Sequence, residues 1–353
     1  MLSKEMYTSG YIQNLHERTG CNPELLEKVV FAFGLLEAIR SVGLPFCFKG
    51  GTALMLLLDH PRRLSTDIDI VVEPGIDVDE YIRRAGEIFP FVDVQESIRI
   101  GKNNLEKRHF KFIYRSPRKG TSVTILLDIL FEHVMYESLH EREIKNELLI
   151  TEGKNLSVVT PSVDGILGDK LTAFAPHTTG IQFGAFREME IIKQLFDCGS
   201  LFDAMNEYSE VRTSFVKIAK VELEYRGLSL DAKEVLKDTI RACLCIASRG
   251  QIYGDDYSYY KVGISKIRSH IIGGKFGGEI AGGYAGRILY LASAMLVGCN
   301  SISKIDASTT TSSSNLIQAI KFPKAKSFSY LHIVDPVAYV YVVKASELLQ
   351  GLV

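Results

Sequence analysis

Phe48-Lys49-Gly50-Gly51-Thr52-Ala53-Leu54, followed at 63–69 by Arg63-Leu64-Ser65-Thr66-Asp67-Ile68-Asp69, reads as a strand, a glycine turn, a helix leading away and a second strand. Side chains alternate along a strand, so Asp67 and Asp69 share one face while Ile68, Ile70 and Val72 share the other. The apolar face belongs in a core, which leaves two carboxylates side by side. Carboxylates that close repel unless a cation sits between them, and Mg²⁺ (or Mn²⁺) is the hard ion that oxygen ligands and phosphate oxygens hold together. Gly50 and Gly51 have no side chains to keep a phosphate off the main chain, and the N–H groups of a helix beginning near Thr52 can receive it. One half of the motif suits the phosphate of a nucleotide, the other the metal attached to it.

Further along, Lys107–Tyr114 alternates Phe110, Phe112 and Tyr114 with His109, Lys111 and Ile113, giving an aromatic face and a largely basic one. The run Lys102, Lys107, Arg108, Lys111, Arg115, Arg118 and Lys119 suits either a solvated strand or an RNA backbone. In Leu126-Leu127-Asp128-Ile129-Leu130 a single carboxylate interrupts an apolar run. Burying it ionised costs several kcal/mol, so it needs a metal, a cationic partner or an edge position. Arg63 has two readings: an ion pair that steadies Asp67 or Asp69, or a phosphate contact.

The Gly50-Gly51-Thr52-Ala53-Leu54 and Arg63-x-Ser65-x-Asp67-Ile68-Asp69 elements resemble the signature of DNA-polymerase-β-like nucleotidyltransferases, and more narrowly the AbiEii/AbiGii-type abortive-infection toxins. The resemblance spans roughly residues 45–200. It implies that Asp67 and Asp69 hold Mg²⁺, that Asp128 is the third acidic residue, and that Gly50, Gly51, Thr52, Arg63 and Ser65 form the nucleotide-phosphate site. It also implies that Lys170, in a Lys-x-x-Ala element, reaches the phosphates of an NTP. The family commonly shows Lys-Asp-x-x-Asp in the following helix; this chain keeps Lys193 and Asp197 but carries Gln194 in place of the first aspartate. Gln194 cannot act as an anion, though it can hydrogen-bond, and Lys193 and Asp197 at i and i+4 can equally form a helix ion pair. The implied reaction moves an NMP from an NTP to an acceptor hydroxyl on RNA, such as a tRNA 3′ end, or on a protein, in a toxin with a cognate antitoxin. The rival readings are a non-catalytic nucleotide-binding protein of the same fold and a D-x-D glycosyltransferase, which the diglycine fits poorly.

Composition agrees with a globular two-domain chain: 353 residues, 46% hydrophobic, net charge −1. That balance excludes a wholly basic nucleic-acid coat. The six cysteines contain no C-x-x-C pair and read as reduced, mostly buried thiols, which suits the cytoplasm. The N-terminus has no signal-peptide pattern and no run reaches the roughly 18 apolar residues of a membrane span.

The expected fold class is α/β: a nucleotidyltransferase-like mixed sheet with flanking helices over 1–160, then a mainly helical domain over 161–353 closing a cleft. Within the first, Asn22-Pro23 opens a helix that ends near Gly43, Val78–Ile88 is a helix, and Val92–Ile100, Lys107–Tyr114, Ser122–Glu132, Asn146–Ile150 and Leu156–Val159 are strands. Pro161–Ala173, Val211–Tyr225, Ala232–Ala247, Val262–Ile272, Gly286–Val297 and Pro336–Leu349 read as helices. The glycine-rich run at 273–286 lacks a Walker A pattern and reads as close helix packing or a flexible turn, and Ala307–Asn315 as a polar low-complexity loop.

Overall fold

A computed structural model describes residues 1–97, 106–184, 186–305 and 320–350. Its contacts divide the chain into two units, Met1–Ser162 with Ser269–Gly274, and Val163–Arg268 with Lys275–Val353.

The first unit is built on a seven-stranded mixed sheet. In chain order it runs α1 (Ser9–Thr19), α2 (Pro23–Ser41), β1 (Cys47–Lys49), α3 (Gly50–Leu57), β2 (Ile68–Val72), α4 (Asp79–Gly86), β3 (Phe91–Glu96), β4 (Lys107–Arg115), β5 (Ser122–Phe131), β6 (Leu139–Glu143) and β7 (Ser157–Pro161). The spatial order is β3-β4-β5-β2-β1-β7-β6. β2 runs parallel to β5 and β1 to β7, and the other neighbours are antiparallel.

α2 starts where Asn22 Oδ1 accepts the Glu24 N–H at 2.8 Å and Pro23 occupies a position whose N–H would be orphaned anyway. It is buried on most sides and carries Phe31 and Phe33 into the core. Phe31 stacks on Tyr114 of β4 with ring centres 3.7 Å apart, and the Tyr114 hydroxyl donates to Glu27 at 3.1 Å. Burial, with the Glu27 charge beside it, raises the Tyr114 pKa and keeps the phenol protonated. Phe110, Phe112 and Tyr114 of β4, Ile125, Leu127 and Ile129 of β5, and Ile68 and Ile70 of β2 are all buried. Each such side chain contributes about 1.5–3 kcal/mol relative to exposure. Strand alternation therefore turns His109, Asp128 and Asp69 to the opposite face of the same sheet.

Two expectations need correction. Asn146–Ile150 is not a strand: the Asn146 side chain caps the Leu148 N–H at 2.9 Å in a local turn. The outer strand is β6 instead, which pairs with β7 although all five of its residues are exposed. Val262–Ile272 is not one helix either. It ends as α9 (Tyr257–Lys266), followed by a 3₁₀ turn at Ile267–His270 and an extended piece that returns to the first unit. Of the strand expected at Val92–Ile100, the part past Ser97 lies outside the described residues, as do Lys102 and Ala307–Asn315.

The second unit is helical: α5 (Val163–Ala173), α6 (Glu188–Ala204), α7 (Tyr208–Tyr225), α8 (Ala232–Ala247), α9, α10 (Gly278–Leu296), α11 (Leu331–Val334) and α12 (Pro336–Leu348). The glycine-rich run enters α10, where a Cβ on Gly282 would lie 1.8 Å from the Tyr330 hydroxyl and one on Gly286 3.0 Å from the Ala338 carbonyl. These glycines let α11 and α12 approach closely, so the run serves packing. Asp164, at the start of α5, accepts the N–H groups of Asn206 at 2.9 Å and Glu207 at 3.0 Å, which ties the α6–α7 connection to that helix.

Candidate active site

The strand register assembles a row of polar residues across the centre of the first unit's sheet. Lys49 of β1 pairs with Asp69 of β2, Asp69 with Asp128 of β5, and Asp128 with His109 of β4. Register partners project from the same face, and adjacent strands lie about 4.8 Å apart. The row thus places two carboxylates between a lysine and a histidine. Asp69 and Asp128, expected from sequence to come together, do so as direct neighbours on parallel strands.

His109 completes Asp128. Its Nδ1 lies 2.6 Å from Asp128 Oδ1, with the two side chains 15% and 34% exposed, so the imidazole N–H donates to one carboxylate oxygen and fixes its orientation. Lys49 sits at the N-cap of α3, with its ammonium 5.8 Å from the Tyr136 ring centre. The sequence alone assigns no catalytic role to His109 or Lys49. The alternation of β4 carried the signal for His109 and adjacency to the diglycine that for Lys49, but only the strand order reveals their company.

The diglycine is demanded by its neighbours. Gly50 has φ +81°, and a Cβ there would fall 2.0 Å from Asp69 Oδ2, so the carboxylate rests against bare backbone at the start of α3. A Cβ on Gly51 would lie 2.6 Å from Arg63 Nη2 and 2.7 Å from Ser65 Oγ. Arg63 and Ser65 therefore lie together against the first turn of α3. The Thr52 hydroxyl donates to the Asp67 carbonyl at 2.6 Å, which anchors that turn to the residue preceding β2. Arg63 is only 6% exposed, and its Nη1 donates to the Leu64 carbonyl at 3.2 Å.

The loop carrying Arg63 is held by residues from far along the chain. The Leu64 N–H donates to the His270 carbonyl at 2.6 Å and the Ile272 N–H to the Arg62 carbonyl at 3.1 Å, forming a bridge between Arg63 and Ile271. Ser269–Gly274 thus belongs to the first unit and clasps the loop that carries Arg63 and Ser65.

Asp67, Asp69 and Asp128 offer hard oxygen donors of the kind Mg²⁺ takes, beside a turn that a Cβ would fill. Among the described residues no group of three or more His, Cys, Asp or Glu side chains is already gathered as metal ligands. Asp69 and Asp128 supply the paired carboxylates, and Asp67 stands two residues along.

The second unit holds a cluster of its own. Lys170 of α5 donates to Asp197 Oδ2 at 3.0 Å and to Gln194 Oε1 at 3.2 Å, both on α6. Asp197 is 1% exposed and Lys170 11%, so this is a buried pair in which removing one partner costs about 3–5 kcal/mol. Gln194 retains a hydrogen bond to the lysine where the resembled pattern has an aspartate. Lys193 pairs with Glu190 at 3.0 Å instead of Asp197. The Cys198 pKa is raised, first by burial and then by the Asp197 charge, so its thiol stays protonated. None of the six cysteines forms a disulfide.

Residues 35–248 match the family model described as nucleotidyl transferase AbiEii toxin, type IV TA system. The class is that of a nucleotidyltransferase, and the chain belongs to the AbiEii toxin family of type IV toxin–antitoxin systems. Among curated proteins no match was found. Solved structures similar to it include JHP933 from Helicobacter pylori, at 15% identity and TM-score 0.44, covering 76% of this chain and 92% of that one. Another is a candidate nucleotidyltransferase from H. pylori, at 16% identity and TM-score 0.42, covering 74% and 92%. No helix among the described residues is long and apolar enough to cross a membrane.

Proposed function

We propose that this nucleotidyltransferase toxin moves an NMP from an NTP to an acceptor hydroxyl on RNA, such as a tRNA 3′ end, with Mg²⁺ as its metal and a cognate antitoxin as its partner in the cytoplasm. The observation that carries the reading is the register of Asp69 with Asp128, on the sheet face where the Gly50 turn meets the Asp69 carboxylate. The NTP phosphates lie at Gly50, Gly51 and Thr52 with Ser65, whose hydroxyl and the Arg63 guanidinium border the same turn. Asp67, Asp69 and Asp128 would hold the metal, whose chemistry is to offset charge on the entering and leaving oxygens.

The acceptor oxygen forms a bond to the α-phosphorus as the bond to the β-phosphate oxygen breaks. The acceptor's proton passes to water, and pyrophosphate leaves. His109, by holding one oxygen of Asp128, would leave the other for the metal. Lys170, whose ammonium is held by Asp197 and Gln194, is the cation that the family resemblance assigns to the phosphates of the NTP. The family resemblance also assigns nucleotide binding to Lys193 and Asp197, with Asp197 acting through Lys170.

The test is incubation with each α-labelled NTP, Mg²⁺ and total cellular RNA, comparing the intact chain with an Asp67→Ala, Asp69→Ala variant. Label should enter RNA with one preferred NTP and vanish in the variant. Label in protein alone, or equal labelling by both proteins, would overturn the reading.

A further inference from the structure

The sheet face bearing Asp128 continues outward onto β4. Alternation puts Lys107 and Lys111 on the same face as His109, one on each side of it. Each faces a leucine of β5: Lys107 is the register partner of Leu130 and Lys111 of Leu126. The result is a small grid, with the His109–Asp128 pair at its centre and a lysine–leucine pair above and below. Leu126, Leu130 and Lys111 are half-buried and Lys107 is exposed.

The two faces of β4 treat their cations differently. Arg108, on the core-side face, is neutralised by Glu96 and Asp79, each at 2.7 Å. Lys107 and Lys111 have no ion-pair partner among the described residues. Asp93 of β3 shares their face opposite Ile113, and its oxygens are occupied by the Val94 N–H and the Gln95 amide, both at 2.9 Å. Lys119, in the β4–β5 turn, pairs with Glu24. Of the basic run in the sequence, Arg115 and Arg118 also lack an ion-pair partner among the described residues but lie toward the β4–β5 turn, whereas Lys107 and Lys111 are the two that flank a proposed catalytic carboxylate.

We infer that Lys107 and Lys111 form the acceptor side of the site, and that they hold the phosphodiesters of a single-stranded polynucleotide whose 3′-hydroxyl is presented to Asp128. This rests on the proposed transfer reaction and assigns the two substrates to opposite sides of the carboxylates: the NTP toward β1 and α3, the acceptor toward β4. Two cations bracketing an apolar-lined carboxylate match an anionic backbone with apolar sugar and base surfaces between its charges. A serine or tyrosine on a protein brings no repeating anion, and would leave both lysines without a partner. A single strand fits because its backbone can bend onto a strip this short, whereas a duplex presents its charges on a rigid cylinder.

The experiment measures binding of a fluorescein-labelled single-stranded RNA, by anisotropy over a range of salt, to the full chain and to Lys107→Gln/Lys111→Gln, Lys107→Arg/Lys111→Arg and Lys119→Gln variants. NTP binding is titrated separately, and thermal melts confirm folding. The double Gln variant should bind RNA on the order of tenfold more weakly, with the slope of log K against log salt reduced by about 0.7 per lysine lost. The Arg variant and Lys119→Gln should keep the parent slope, and NTP affinity should not move. An unchanged slope in the double Gln variant, or equal loss in Lys119→Gln, overturns the assignment. So does label transfer to protein that ignores these lysines. Lysine-dependent RNA binding without any NMP transfer would instead fault the proposed reaction and leave the surface standing.

Discussion

Gly50→Ala is the sharpest perturbation available, because the new methyl would occupy space already taken by the Asp69 carboxylate. Its Cβ would lie 2.0 Å from Asp69 Oδ2, 2.7 Å from Cγ and 2.9 Å from Cβ. The contact to Cβ means that turning the Asp69 side chain into another rotamer does not relieve it; the backbone of β2 or of the turn has to shift. The residue also sits at φ +81°, where an alanine costs about 1–2 kcal/mol. Overpacking adds about 1–3 kcal/mol. Gly43 provides the internal control: its φ is +87° and a Cβ there would meet nothing within 4 Å. Gly43→Ala should therefore lose about 1–2 kcal/mol of stability and keep its activity. Gly50→Ala should lose more stability in urea denaturation. Its NMP transfer should fall on the order of 100-fold even where the protein is fully folded, since a displacement near 1 Å at reacting groups costs that much. If Gly50→Ala matches Gly43→Ala in stability and transfers label like the parent, the packing of Asp69 against the turn has no part in the chemistry.

Other outcomes follow from the same geometry. His109→Ala should weaken Mn²⁺ binding, read by paramagnetic resonance, about 10- to 100-fold, whereas His109→Asn, whose amide can reproduce the Nδ1 donor, should recover most of it. Lys170→Met removes the ammonium paired with the buried Asp197 carboxylate, so it should destabilise the protein by about 3–5 kcal/mol, and Lys170→Met/Asp197→Leu should regain stability without regaining transfer. Asp238 has its pKa raised by burial despite hydrogen bonds from Thr178 and His177, and its Oδ1 has no hydrogen-bond partner among the described residues. A carboxyl raised in this way contributes stability below its unfolded pKa and loses it as pH rises through the folded value. Asp238→Asn should therefore melt higher than the parent at pH 8, and the gap should close or reverse in acid.

The sequence disclosed the parts of the site whose signal is local. The glycine turn, the D-x-D strand and the lone carboxylate of 126–130 each occupy a short window, and each stands where its pattern put it. What escaped it depends on contacts between distant segments. The Lys49–Asp69–Asp128–His109 row requires the order β1-β2-β5-β4, which no periodicity encodes. β6 shows no alternation because both of its faces are exposed, so its pairing with β7 had no apolar signature to follow. Leu148-Leu149-Ile150 has strand-like composition, but the Asn146 side chain turns the backbone first. Residues 271–272 continue a helical pattern on paper, yet in the fold their backbone is spent on Arg62–Leu64.

That last pairing has a consequence for synthesis. The clasp on the Arg63 loop is encoded roughly 200 residues downstream of the loop itself, so at translation rates of about 5–20 residues per second it is supplied on the order of 10–40 s later. A ribosome-bound or prematurely terminated chain can carry every residue of the turn and the paired carboxylates while the loop holding Arg63 and Ser65 still lacks its tether. Any fragment ending at Ser162 shares that defect, whatever else of the sheet it contains.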